Sequence, residues 1–167
     1  MSFYIRPVCI EDAKAINEIR RMNGVMENIL GVPSERYEKS AAFIKEADGN
    51  SHIFVAVEAS GTIETVIGMA GLHVNTSPRL RHSGDIGIMV HKDYHGQGVG
   101  RALMEKLLDV ADNWLMLKRV ELGVFVDNEG AIKLYEKCGF VKEGRKRCGA
   151  IRNGVYADEY IMGRIKE

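Results

Sequence analysis

The chain has 167 residues, 46% hydrophobic and 28% charged, and its 23 basic and 23 acidic side chains cancel to a formal net charge of zero. That length closes one core and is short for two, so a single domain spanning 1–167 is expected. The missing basic excess excludes generic nucleic-acid and anionic-membrane binding, and the longest apolar run, Ile53 to Val57, is far too short to cross a bilayer. The N-terminal MSFYIRPVCIEDA has no apolar stretch ahead of its charges, so no secretory leader is expected. Cys9, Cys138 and Cys148 are widely spaced and form no Cys-x-x-Cys pair, which points to a reducing, cytoplasmic setting and argues against structural zinc.

Phe3 to Arg6 reads as a strand stopped at Pro7, and Glu11 and Asp12 load the start of a helix with apolar positions Ala13, Ile16, Ile19 and Met22 at helical spacing. After Gly24, residues 25–33 read as a loop. A second helix is expected from Ser34 as N-cap, with Tyr37, Ala41, Phe43 and Ile44 as its apolar positions, closing at Asp48-Gly49. His52 to Ala59 and Glu64 to Asn75 form a hairpin around Ser60-Gly61, and residues 76–82 form a polar loop. Ser83 to Val90 is a strand, followed by a glycine-rich turn and a helix whose apolar face is Val99, Leu103, Leu107, Val110 and Trp114. Arg119 to Val126 is β-rich, Asn128 to Lys137 is a short helix with Gly139 just beyond it, and strands Val141 to Ile151 and Val155 to Arg164 flank the Asn153-Gly154 turn.

Strand, glycine turn, helix, strand is a crossover unit, so the strands at 83–90 and 119–126 should run parallel. Hairpins on both sides make the sheet mixed, and a ligand is expected at the carboxyl end of the strand before the glycine loop. The residues of that loop, HKDYHGQGVGRALM from His91 to Met104, place Gly96, Gly98 and Gly100 between strand and helix. Such a run suits an anion cradle, because glycine lets backbone approach a ligand and the first helical turn presents unpaired N–H groups. By itself it equally suits a turn that merely starts a helix. A Walker-type loop is excluded, since no Gly-Lys pair occurs in the chain, and the dinucleotide fingerprint fails because Arg101 and Leu103 stand where its third glycine belongs.

A second segment, VFVDNEGAIKLYEKCGF from Val124 to Phe140, follows the second parallel strand. Taken alone, Asn128 reads as an N-cap, Tyr135 as part of a core face and Gly139 as a helix stop. Together the two segments resemble the GNAT superfamily of N-acetyltransferases. The family's phosphate loop, Gln/Arg-x-x-Gly-x-Gly/Ala, is matched by His95-Gly96-Gln97-Gly98-Val99-Gly100, with His95 as the departure. Its later Asn-x-x-Ala-x-x-x-Tyr-x-x-x-Gly-Phe is matched at Asn128, Ala131, Tyr135, Gly139 and Phe140.

The resemblance implies an α/β (α+β) fold: a mixed, mostly antiparallel sheet of about seven strands, a splayed parallel central pair and flanking helices. It implies acetyl-CoA as cofactor, with the backbone of Ile88, Met89 and Val90 pairing the pantetheine arm. Gln97, Gly98, Val99, Gly100 and Arg101, with His95 and Gly96, would hold the pyrophosphate, and Asn128 would contact the pantetheine region. Tyr135 stands at the family's general-acid position, and a backbone N–H of strand 83–90, such as that of Met89, would polarise the carbonyl. Asp85 is the candidate base, with Glu27 second; Glu27, Asn28 and Tyr156 are expected at the acceptor. His73, His82 and His91 lack metal-ligand spacing and read as surface or loop residues, and no metal is expected. The expected activity is direct transfer to the primary amine of a small molecule such as an amino acid, supported by the tail Arg152-Asn153-Gly154-Val155-Tyr156-Ala157-Asp158. Acetylation of protein N-termini or lysines, and a non-catalytic acetyl-CoA-binding module, stand as alternatives. The expected partners are a small amine acceptor and, by family analogy, a second copy in a homodimer, with neither nucleic acid nor membrane.

Overall fold

The computed structural model describes residues 2–167. Its strands are β1 (Phe3–Pro7), β2 (Ser51–Ser60), β3 (Ile63–Val74), β4 (Ser83–Val90), β5 (Arg119–Phe125), β6 (Val141–Arg152) and β7 (Val155–Ile165). Its helices are α1 (Ala13–Arg20), α2 (Tyr37–Lys45), α3 (Val99–Asp109) and α4 (Glu129–Lys137). Among the described residues the seven strands form one sheet in the order β1-β2-β3-β4-β5-β7-β6. Every neighbouring pair is antiparallel except β4 and β5, which run parallel as the crossover requires.

The hairpin turns form where the sequence puts glycine. At Asn153-Gly154 both residues take positive φ, 51° and 78°, the backbone of a tight hairpin turn matched to strand twist. The sheet carries a core on each face. On one, Val99, Leu103, Met104 and Leu107 of α3 and Ile132 and Tyr135 of α4 pack over Ile67, Leu72, Ile86 and Val120. On the other, Ile16 and Ile19 of α1 with Val25 cover Ile53, Val55, Met69 and Met89. Alternation along β4 thus sends Ile86 to the α3 side and Met89 to the α1 side.

Two local expectations fail for physical reasons. Trp114 is 77% exposed rather than part of the α3 face. The helix widens into a π-turn over Val110–Trp114, closed by the Leu115 N–H donating to Val110 C=O at 3.0 Å. One extra residue in that turn rotates Trp114 off the apolar stripe while Ala111 and Leu117 stay buried. Ser34 does not cap α2, which starts three residues later from an extended Arg36. Glu35 is drawn inward instead, its side chain 1% exposed and bound by Arg20 and by Lys39 at 2.9 Å. Tyr37 and Phe43 are consequently exposed, and Ala41 is the buried apolar residue of α2.

Candidate active site

The site begins as a failure of strand pairing. β4 and β5 share three residue pairs, Ser83 with Arg119, Gly84 with Val120 and Asp85 with Glu121, and then diverge. Beyond Asp85 each strand has lost a neighbour, so half its backbone groups face the gap. Which half follows from the flanking bonds. Asn75 N–H donates to Ser83 C=O at 3.0 Å and His91 N–H to Ile67 C=O at 2.9 Å, so odd-numbered β4 residues spend their amides on β3. The carbonyl of Ile86, both backbone groups of Ile88 and the amide of Val90 are left facing the gap. Met89 is therefore a correction to the sequence reading: its amide faces β3 and its side chain the α1 core. By the same alternation against β7, Gly123 and the amide of Phe125 present backbone groups from the opposite lip, the Phe125 carbonyl accepting the Asn128 amide at 3.0 Å.

A cavity of about 920 Å³ opens in this gap. Its walls include Asp85 to Val90, Gly123 to Phe125, Asn128, Leu134 and Tyr135, with Gly96 and Gly100 at one end. At that end Gly96 and Gly98 take φ of 73° and 86°, which an L side chain rarely adopts, and turn successive amides the same way. Among the described residues, none of the amides from Gly96 through Arg101 donates to a protein acceptor; the first to do so is Ala102, to Gly98 C=O at 3.0 Å. Six consecutive donors at a helix N-terminus, with open space where Cβ atoms would stand at Gly96 and Gly98, fit a pyrophosphate. The side chains here are tied elsewhere. His95 Nε2 contacts Val90 C=O at 2.8 Å, Gln97 donates to Asp93 C=O at 2.7 Å, and Arg101 pairs with Glu105 at 2.7 Å. The cradle is made of backbone, so His95 in place of the family's Arg or Gln leaves it intact.

Tyr135 reaches the cavity from α4, whose start is set by Asn128 Oδ1 accepting the Ala131 amide at 3.3 Å. Tyr135 is 7% exposed, its ring packs 6.1 Å from that of Phe140, and no protein hydrogen bond acts on its hydroxyl among the described residues. Burial pushes its pKa up to about 12, so it keeps its proton across the physiological range.

At the other end Asp85 stands opposite His73 on β3 and Glu121 on β5. Burial, followed by the Glu121 carboxylate, pushes the Asp85 carboxyl up. Arg119 pairs with Glu121 at 2.8 Å. From the α1–α2 side the same cavity is lined by Arg20, Val25, Asn28, Ile29, Leu30 and Phe43.

The other acceptor candidates separate. Asn28 lines the cavity, whereas the Glu27 carboxylate folds back to accept the Gly24 amide at 2.6 Å and does not. Tyr156, 72% exposed, lines a separate groove of about 330 Å³ with Asp127, Arg145 and Arg152. Arg152 of the β6–β7 hairpin pairs with Asp127 and lies 4.6 Å over the ring of Phe125, a residue of the larger cavity's wall. His73 is a β3 residue on the cavity wall, not a loop histidine, and Glu159 lines the same cavity; neither carries a sequence motif, since only register brings them there. Among the described residues no group of His, Cys, Asp and Glu could hold a metal ion.

Residues 18–140 match the family model described as the Acetyltransferase (GNAT) family, and the chain belongs to that family. It is an acetyl-CoA-dependent N-acetyltransferase. The L-amino acid N-acetyltransferase AaaT of Escherichia coli (strain K12) is 36% identical over 162 residues, covering 97% of each chain. A spermidine N(1)-acetyltransferase of Vibrio cholerae is 28% identical over 88% of this chain and 83% of its own. The crystal structure of spermidine N-acetyltransferase from Vibrio cholerae in complex with CoA and spermine has a TM-score of 0.83 at 26% identity, over 98% of this chain and 95% of that one. No helix among the described residues is long and apolar enough to cross a membrane.

Proposed function

We propose that this enzyme acetylates the primary amine of an amino acid or a closely related small amine. The observation that carries the reading is the 36% identity to an L-amino acid N-acetyltransferase over nearly the whole of both chains. The cavity suits it: carboxylates at Asp85 and Glu159 attract an ammonium group, Asn28 offers an amide donor to a carboxylate, and Ile29, Leu30 and Phe43 accept an apolar side chain.

Acetyl-CoA supplies a thioester carbonyl open to attack and a thiol as leaving group. The chain's own groups do the rest. The amides of Gly96 to Arg101 would hold the pyrophosphate, and the gap-facing backbone of Ile86, Ile88 and Val90 would pair with the pantetheine arm and offer an amide to the developing oxyanion. Asp85 would take the ammonium proton, and Tyr135 would protonate the departing sulfur and recover its proton from the nitrogen as the amide forms, each such transfer contributing about 10²–10⁴-fold. No covalent enzyme intermediate is required; Cys138 is half-buried, its thiol pushed up by burial. Single-domain, cytoplasmic action belongs to the same proposal, and the homodimer expected by analogy is tested by light scattering.

One observation favours a polyamine instead: two separated carboxylates on the cavity wall match a polycation, and relatives named for spermidine cover most of the chain. Thiol release from acetyl-CoA, measured across L-amino acids, spermidine, aminoglycosides and peptides, decides between them. Turnover confined to polyamines or to peptides would replace the amino-acid reading.

A further inference from the structure

A polar row leads out of the cavity across the sheet. Asp85 on β4 is in register with His73 on β3, and His73 with Ser51 on β2. Cross-strand partners in direct register share a face, with Cβ atoms about 4.5–5.5 Å apart, and all three residues line the cavity. Ser51 Oγ lies 3.2 Å from His73 Nδ1 and 3.4 Å from Asp48 Oδ1, in the exposed turn that precedes β2. Bonds from the Asn50 side chain and amide hold the Asp48 carboxyl below the usual carboxylate range, so it has no proton to give. The Ser51 hydroxyl must therefore donate to Asp48 and accept from His73. That places the hydrogen of neutral His73 on Nδ1 and leaves the Nε2 lone pair, which has no hydrogen-bond partner among the described residues, to take a proton.

We propose that His73 is the proton exit of the site, positioned by Ser51 and Asp48, an assignment that rests on Asp85 as the base. The N–H bond broken on the acceptor ammonium leaves its electron pair on nitrogen, and the proton passes to the Asp85 carboxylate and then to His73 Nε2. His73 is exposed and gives the proton to water, returning to neutral imidazole as Asp85 returns to carboxylate. The charges around His73 favour this passage. Asp85 and Asp48 flank it, Glu121 lies beyond Asp85, and the cavity's Arg20 is committed to Glu35.

The test combines thiol release from acetyl-CoA, using L-amino acids and spermidine as acceptors, with long-range ¹H–¹⁵N NMR of the imidazole. His73→Ala should lose about ten- to a hundred-fold in kcat around neutral pH while the KM for acetyl-CoA holds, and added imidazole should restore much of the loss. The NMR spectrum should show the Nδ1–H tautomer in the wild type and the Nε2–H tautomer in Ser51→Ala. Wild-type turnover in His73→Ala beside a crippled Asp85→Asn would overturn the exit and leave the base standing. A loss that imidazole does not rescue, or an Nε2–H tautomer in the wild type, would overturn the exit as well. Full activity in Asp85→Asn would remove the base itself, a separate failure.

Discussion

Tyr135→Phe removes one oxygen from a side chain buried to 7% exposure whose hydroxyl makes no hydrogen bond to the described residues. Because no hydrogen bond is broken and the ring still fills its place against Phe140, stability at pH 7 should change by less than about 1 kcal/mol. Loss of the proton donor should lower kcat by about 10²–10⁴-fold, or roughly 3–5 kcal/mol in the barrier, with acetyl-CoA affinity unchanged within about threefold. The same substitution has a second signature. A tyrosine whose folded pKa is raised from 10.0 to about 12 contributes stability that is fully present below pH 10 and lost as pH rises through the folded value. Two units correspond to about 3 kcal/mol, so alkaline unfolding of the wild type should be steeper than that of Tyr135→Phe. Steady-state thiol release, calorimetric titration of CoA and urea unfolding on either side of pH 10 read all three quantities. Turnover in Tyr135→Phe within a few-fold of the wild type refutes the donor role. A fall in affinity matching the fall in kcat would make Tyr135 a binding residue instead.

Three further outcomes follow from the geometry. Glu35, held down at about 2 from its ordinary 4.5 chiefly by Arg20, contributes about 3 kcal/mol that is present above pH 4.5 and lost as pH falls toward 2. Glu35→Gln should flatten the acid side of the stability profile; an unchanged acid midpoint in urea titrations would count against the ion cluster. Gly98→Ala forces a side chain to φ 86° in open space, a cost of about 1–2 kcal/mol that should lower Tm by roughly 2–8 °C and weaken CoA binding without unfolding the protein. Equal CoA affinity in that variant would remove the glycine cradle from the cofactor site. Asp85 must be deprotonated to act, so its raised proton affinity should move the acid limb of kcat/KM above the ordinary carboxylate range, and Asp85→Asn should abolish that limb along with most of the rate.

Several of these residues were legible before any fold was known. The alternating glycines, the Asn128/Tyr135 spacing and the Asn153-Gly154 turn are local patterns, and each formed where its spacing placed it. Local reading failed where a distant partner decided the outcome. Ser34 yielded its cap because Glu35 was claimed by Arg20 on another helix, and Trp114 left the α3 stripe because one residue of π-turn shifted the phase. Glu27 and Tyr156, neighbours of the site by analogy, turned to the Gly24 amide and to a separate groove.

What the sequence determined by itself is whatever one turn of chain settles: where φ must be positive, which face of a helix is apolar, where a strand must stop. What only the tertiary structure decided is which backbone groups are left over. The parallel pair parts after three residues, and that divergence, together with β3 register, turns the amides of Ile88 and Val90 rather than Met89 into the gap and sets His73 across from Asp85. Backbone amides carry no side-chain signature, and cross-strand neighbours lie far apart along the chain. Their arrangement exists only once the sheet has formed, because each hydrogen bond in it is chosen by the strand on the other side.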